Sequence, residues 1–139
     1  DMQKMWKLAF NVIDPCKDLG NDLPSASLDA RLQHVQNLLE TKSQQEVLYE
    51  LETLYGTGME TIETIPTVMA LLELSHLEPH ICAELSANLS GDTDTIGSIA
   101  TSICGAANNT FTKEEIEFLE KTNQINFTEY ANKLVQYLR

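Results

Sequence analysis

Apolar residues recur three and four positions apart along almost the whole chain, and most runs open on a helix-capping signal. The strict alternation that a half-buried strand requires is nowhere sustained. This periodicity confines the chain to an all-α fold of about eight helices. Met2, Met5, Trp6, Ala9 and Ile13 share one helix face, and Asp14-Pro15 is expected to stop that helix, because the residue before a proline is pushed out of the α region. Residues 14–26 read as a loop. Ser27 is placed to cap a helix carrying Leu28, Leu32, Val35 and Leu39. Ser43 and Glu46 form a capping box ahead of Val47, Leu51, Leu54 and Tyr55, and Gly56-Thr57-Gly58 ends that run. The next helix, carrying Ile62, Ile65, Met69 and Leu72, should start near Glu63, so that Pro66 falls in its first turn. Glu78-Pro79 opens another with Ile81, Cys82, Leu85 and Leu89 inward, ending over Asn88 to Gly91. A further helix starts inside Asp92-Thr93-Asp94-Thr95 and turns Ile96, Ile99, Ala100, Ile103 and Ala107 to the core. Thr112 with Glu115, before Ile116 and Leu119, and Asn126 with Glu129, before Tyr130, Leu134 and Leu138, are two more capping boxes. Trp6 and Tyr130 read as core aromatics.

A chain of 139 residues is about one domain long and can bury roughly two thirds of its unfolded surface. Residues 1–139 therefore read as a single all-α domain. The longest apolar stretch, Thr67 to Leu74, is broken by Glu73, so no transmembrane span is expected. The balance of 21 acidic to 9 basic residues gives a net charge of −12, which repels phosphate backbones and anionic lipid. Nucleic-acid and membrane partners are thereby disfavoured, and cations favoured. Between Lys42 and Lys113 there is no Lys or Arg, while ten carboxylates stand there. Most of these belong to a solvated face. Cys16, Cys82 and Cys104 are odd in number and singly placed, as reduced core thiols of a cytoplasmic protein would be. No secretory leader is legible, and the first residue is Asp1 rather than Met, as in a piece of a longer protein.

The informative segment is Ser90-Gly91-Asp92-Thr93-Asp94-Thr95-Ile96-Gly97. Two carboxylates two residues apart, interleaved with hydroxyls at a helix start, offer hard oxygen ligands suited to Mg²⁺, Ca²⁺ or Mn²⁺ rather than zinc. Acidic residues at that place also serve simply as caps for the positive helix end, and spacing does not separate the two readings. Gly97, Ala100, Thr101 and Gly105 leave that helix a small-residue surface for close packing against a neighbour.

This segment, continued by Ser98-Ile99-Ala100 and Ile103-Cys104-Gly105-Ala106, resembles the C-terminal signature of the ADP-ribosylglycohydrolase family. Gly56 to Pro66 and the tail from Asn123 to Arg139 resemble that family's approach to the signature and its C-terminal end. The resemblance implies an all-α orthogonal bundle with a binuclear Mg²⁺ or Mn²⁺ centre. It also implies hydrolysis of the glycosidic bond joining ADP-ribose to a protein side chain or small molecule. It assigns metal binding to Asp92, Asp94 and Thr95, and it puts Ser90, Gly91 and Gly58 near substrate, with Gly58 or Met59 beside adenosine. Ser90 stands where the family usually has glycine, and Asn108-Asn109 where tyrosine or glycine is common. The family's N-terminal Thr-Asp-Asp element, which supplies the other ligands and the acidic residue near the attacked bond, has no counterpart in residues 1–87. The chain therefore reads as the C-terminal part of a longer fold. The catalytic residues are expected in an N-terminal half, carried by the same protein or by another chain.

Two other readings remain open: a catalytically silent relative that binds ADP-ribose or is structural, and a helical adaptor whose acidic segment meets a basic partner. His34, His76 and His80 lack the partners a nucleophilic site needs, and Cys104 lacks a basic neighbour. Gly56-Thr57-Gly58-Met59-Glu60 lacks the lysine of a phosphate loop and reads as a C-cap turn. Three Asn-x-Ser/Thr triplets carry no meaning without secretion.

Overall fold

The computed structural model describes residues 1–16, 19 and 24–137. Among them are eight α-helices and no strand: α1 Met2–Cys16, α2 Leu28–Thr41, α3 Gln44–Glu50, α4 Thr61–Leu74, α5 Pro79–Ala87, α6 Thr93–Ala107, α7 Lys113–Asn123 and α8 Phe127–Val135. A single π-helical turn, Leu51–Tyr55, continues α3. The all-α reading of the periodicity holds. The chain divides into two compact units, Asp1–Asn109 with α1 to α6, and Thr110–Arg139 with α7 and α8.

In the first unit α4 is the centre. Thr64 and every residue from Pro66 to Leu72 are buried, and α1, α2, α5 and α6 all pack on α4. A helix that is apolar all round has no solvent face to present, which is why no cation interrupts this stretch. Trp6, Leu32, Val35, Leu38, Val47, Leu51, Cys82, Leu85, Ile96, Ala100 and Cys104 complete the core around it. The Trp6 indole N–H donates to Glu73 Oε2 (2.6 Å), so the ring is buried with its one polar atom satisfied.

Pro66 lies six residues into α4 rather than in its first turn, because the helix begins at Thr61 and not near Glu63. It cannot donate to the Ile62 carbonyl one turn back. Arg31 of α2 does so instead, with Nη1 at 2.7 Å from Ile62 O and 3.3 Å from Tyr55 O. Its guanidinium also lies over the Tyr55 ring, 5.3 Å from the centroid, and the Tyr55 hydroxyl pairs with His34 Nδ1. A helix interrupted by proline is thus held by a charge-assisted bond from a neighbouring helix.

The caps agree with the sequence at Ser27, Ser43, Thr112 and Asn126, and Glu78, expected only to open α5, caps it as well; each side chain accepts from the amide three residues on. Both halves of the box form at Ser43 and Thr112, whereas Glu129 turns to Lys133 Nζ (2.6 Å). Several expectations are corrected. Helix α1 passes through Asp14-Pro15 to Cys16, since a proline in the last turn forfeits only one hydrogen bond. Leu54 is exposed because the π turn keeps Val47, Leu51 and Tyr55 on the inner face. Ile81 and Ala107 are exposed rather than inward: Cys82, Leu85 and Ser86 form the buried face of α5, and Ala107 ends α6. Cys16 is exposed and not a core thiol, whereas Cys82 and Cys104 are fully buried. Residues 17, 18 and 20–23 of the expected loop at 14–26, together with residues 138 and 139, lie outside the described residues.

In the second unit α7 ends at Gln124 in the left-handed conformation, with Ile125 N–H returning to Glu120 O (3.1 Å). The Glu120 carboxylate receives the Phe127 N–H (2.7 Å) and so ties the turn to the start of α8. Tyr130 is exposed rather than a core aromatic.

Candidate metal centre at the start of α6

Two loops meet here: Gly56–Glu60, between the π turn and α4, and Asn88–Asp92, between α5 and α6. Gly56, at φ +70°, lets the chain leave the π turn in a conformation that a side chain disfavours. The next residue, Thr57, is buried and reaches across to the second loop. Its hydroxyl donates to the Ser90 carbonyl (2.5 Å), and its own carbonyl accepts the Asp92 N–H (2.7 Å). Between those contacts Gly91 sits at φ +82°, so near that a Cβ there would lie 2.1 Å from Thr57 O. Glu52 receives the Ser90 N–H on Oε1 (2.7 Å). The loop is therefore gripped at three backbone atoms.

The grip delivers Asp92 to the N-cap position of α6 and Asp94 to its first turn. Asp92 makes no side-chain hydrogen bond to the first-turn amides, unlike the N-cap residues of α2, α3, α5, α7 and α8. The Asp92 side chain first, then the N–H groups of Thr95 and of Asp94 itself, hold the Asp94 carboxyl below the usual carboxylate range. Two carboxylates within hydrogen-bonding reach repel each other unless a proton or a cation lies between them. Asp94 borders two open depressions, one of about 320 Å³ lined also by Thr95, Ser98 and Ile99, the other of about 400 Å³ reaching Ser86 and Gly97. Gly97 packs on Ser86 of α5, where an added Cβ would come within 3.1 Å of the Ser86 Cβ. The close helix approach expected from the small residues of α6 is present there.

Of the residues singled out in the sequence, Asp92, Asp94 and Thr95 share the start of α6, and Ser90 and Gly91 lead into it. Gly58 lies in the facing loop; its carbonyl accepts from Thr64 Oγ1 (2.9 Å), and the Glu63 carboxylate packs against it. Met59 is 85% exposed. Among the described residues no three His, Cys, Asp or Glu side chains converge as a metal cage. The donor set present, two carboxylates and a threonine hydroxyl, is hard, anionic and open to solvent, and fits one side of a Mg²⁺ or Mn²⁺ shell. Sequence reasoning gave no role to Thr57, Glu52 or Arg31. Their contacts span 24 to 38 residues, and no local motif encodes them.

A two-carboxylate turn thus stands at the head of a small-residue helix packed in an all-α bundle. The ADP-ribosylglycohydrolase family model matches residues 1–136, and the chain belongs to that family. It is 44% identical over 119 residues to the uncharacterized protein YegU of Escherichia coli (strain K12), covering 81% of this chain and 35% of that relative. The chain thus spans about a third of the length of the curated relative it matches. No solved structure matches it.

Proposed function

We propose that the chain forms the C-terminal side of the active centre of an ADP-ribosylglycohydrolase, which hydrolyses the glycosidic bond between ADP-ribose and a protein side chain or small molecule. The observation that carries this is the Asp92 carboxylate: standing at an N-cap, it pairs with Asp94 instead of capping α6. Asp92, Asp94 and Thr95 would hold Mg²⁺ or Mn²⁺. A bound ion of this kind acidifies water and orients ribose hydroxyls. The chain's own contribution is positional: the contacts from Thr57 and Glu52 fix the approach to the two carboxylates, and hydrogen bonding holds the Asp94 carboxyl below the usual carboxylate range. Ser90 and Gly91, together with Gly58 across the loop contact, are the proposed substrate neighbours.

Three oxygens do not fill two octahedral shells, so the remaining ligands and the catalytic acid or base belong to another segment of the protein or to another chain. The buried free thiols of Cys82 and Cys104 support a reducing, cytoplasmic setting. The test is release of ADP-ribose from ADP-ribosyl-arginine by the full-length protein, with and without Mg²⁺ or Mn²⁺. Asp92→Ala and Asp94→Ala should each abolish release while leaving the far-ultraviolet circular dichroism unchanged. Full activity in either variant would refute the assignment.

A further inference from the structure

The two loops at the candidate centre are joined by one buried side chain. Thr57 is 3% exposed, and both its hydrogen-bonding groups are directed at the loop that carries Asp92. The loop holding Thr57 is itself pinned at its two ends, since Arg31 binds the carbonyls of Tyr55 and Ile62 on either side of it. A rigid support on one side and a backbone-only contact on the other is an arrangement that sets where a ligand group stands without touching the ligand.

We propose that Thr57 is a positioning residue for cation binding at Asp92 and Asp94, acting through its hydroxyl bond to the Ser90 carbonyl. The inference rests on the cation reading of that pair. Three features separate it from a general packing role. The Thr57 hydroxyl bonds the Ser90 carbonyl, while Glu52 independently holds the same residue's N–H. The Thr57 carbonyl, which holds Asp92 N–H, survives any substitution of the side chain. The isosteric Thr57→Val change removes the hydroxyl with little change in shape, and Thr57→Ser restores it.

The experiment is Mn²⁺ titration of the full-length protein, followed by the loss of the free-Mn²⁺ paramagnetic resonance signal. Wild type is compared with Thr57→Val, Thr57→Ser and Asp94→Asn, and melting temperatures are read in EDTA. Support for a ligated metal group from its surroundings is typically worth tenfold or more in affinity. Thr57→Val should therefore bind Mn²⁺ about tenfold more weakly than wild type, and Thr57→Ser within about twofold of it. The melting temperatures in EDTA should not account for the difference. Equal affinity in wild type, Thr57→Val and Thr57→Ser, with binding lost in Asp94→Asn, overturns the positioning role and leaves the cation site standing. No Mn²⁺ binding in wild type, or unchanged binding in Asp94→Asn, overturns both. Should Thr57→Val not fold, Glu52→Gln and Glu52→Ala read the same loop from its other side. Both lose the charge but only Gln keeps an acceptor, so weaker binding in Ala than in Gln supports positioning, and equal binding refutes it.

Discussion

Pro66 and Arg31 define a double-mutant test of how this bundle tolerates a proline inside its central helix. The Ile62 carbonyl has no amide to accept from at position 66, and Arg31 Nη1 meets it at 2.7 Å while also reaching Tyr55 O at 3.3 Å. A hydrogen bond from a charged donor contributes about 1.5–3 kcal/mol, and the guanidinium over the Tyr55 ring about 0.5–1 kcal/mol more. Arg31→Met keeps the aliphatic stem and removes all three contacts, so it should cost about 2–4 kcal/mol. In a Pro66→Ala background the new amide can donate to Ile62 O, and the same Arg31→Met change should cost about 1 kcal/mol less. Urea unfolding followed by fluorescence of Trp6, the only tryptophan and a buried one, supplies the four stabilities. If the two substitutions proved additive to within about 0.3 kcal/mol, Arg31 would not be standing in for the missing amide.

The remaining predictions concern the glycines and the thiols. Gly91→Ala should destabilise by about 2–4 kcal/mol, because a Cβ there meets backbone atoms and a positive φ at once; a loss under about 1 kcal/mol in the same urea assay would contradict the close approach. Gly58→Ala should cost less than about 1 kcal/mol despite a 2.2 Å approach, since the atom it meets is the mobile end of Glu63. Burial pushes the Cys82 thiol from 9.0 up to about 12, so above pH 9 the unfolded chain loses this proton while the folded chain keeps it. Stability should then fall by about 1.4 kcal/mol per pH unit between 9 and 12 relative to Cys82→Ala, and parallel pH profiles for the two proteins would refute this. Cys16 should react with a thiol reagent in the native protein and Cys82 and Cys104 only on unfolding, as quantified by mass spectrometry.

What could be read from residue order divides along physical lines. Capping is local chemistry, so Ser27, Ser43, Thr112 and Asn126 were legible from a few neighbouring residues. Inward faces were legible only where the helix kept its ordinary pitch. At Leu51–Tyr55 the π turn changed the register, and Leu54 went out while Tyr55 went in. The proline rule misjudged both Pro15 and Pro66, in the second case because a partner 35 positions away in sequence pays for the missing donor. At the candidate centre the three proposed ligands, Asp92, Asp94 and Thr95, stand in one local run of sequence. The side chains that hold their approach, Thr57 and Glu52, were not legible, because hydrogen bonds between distant loops leave no spacing in the sequence.

The same comparison bears on the aspartate pair, for which spacing left two readings open. Five other N-cap side chains among the described residues accept an amide of the first turn, whereas Glu60 at the head of α4 and Asp92 at the head of α6 do not. Asp94, in the first turn, is held below the usual carboxylate range by the Asp92 side chain first and then by the N–H groups of Thr95 and of Asp94 itself. Two carboxylates this close repel each other unless a proton or a cation lies between them. No Lys or Arg stands between Lys42 and Lys113 in the sequence, and the pair takes part in no ion pair found among the described residues. Under the proposed reading a divalent cation would supply that compensation, with ligand chemistry that carboxylate and hydroxyl oxygens match.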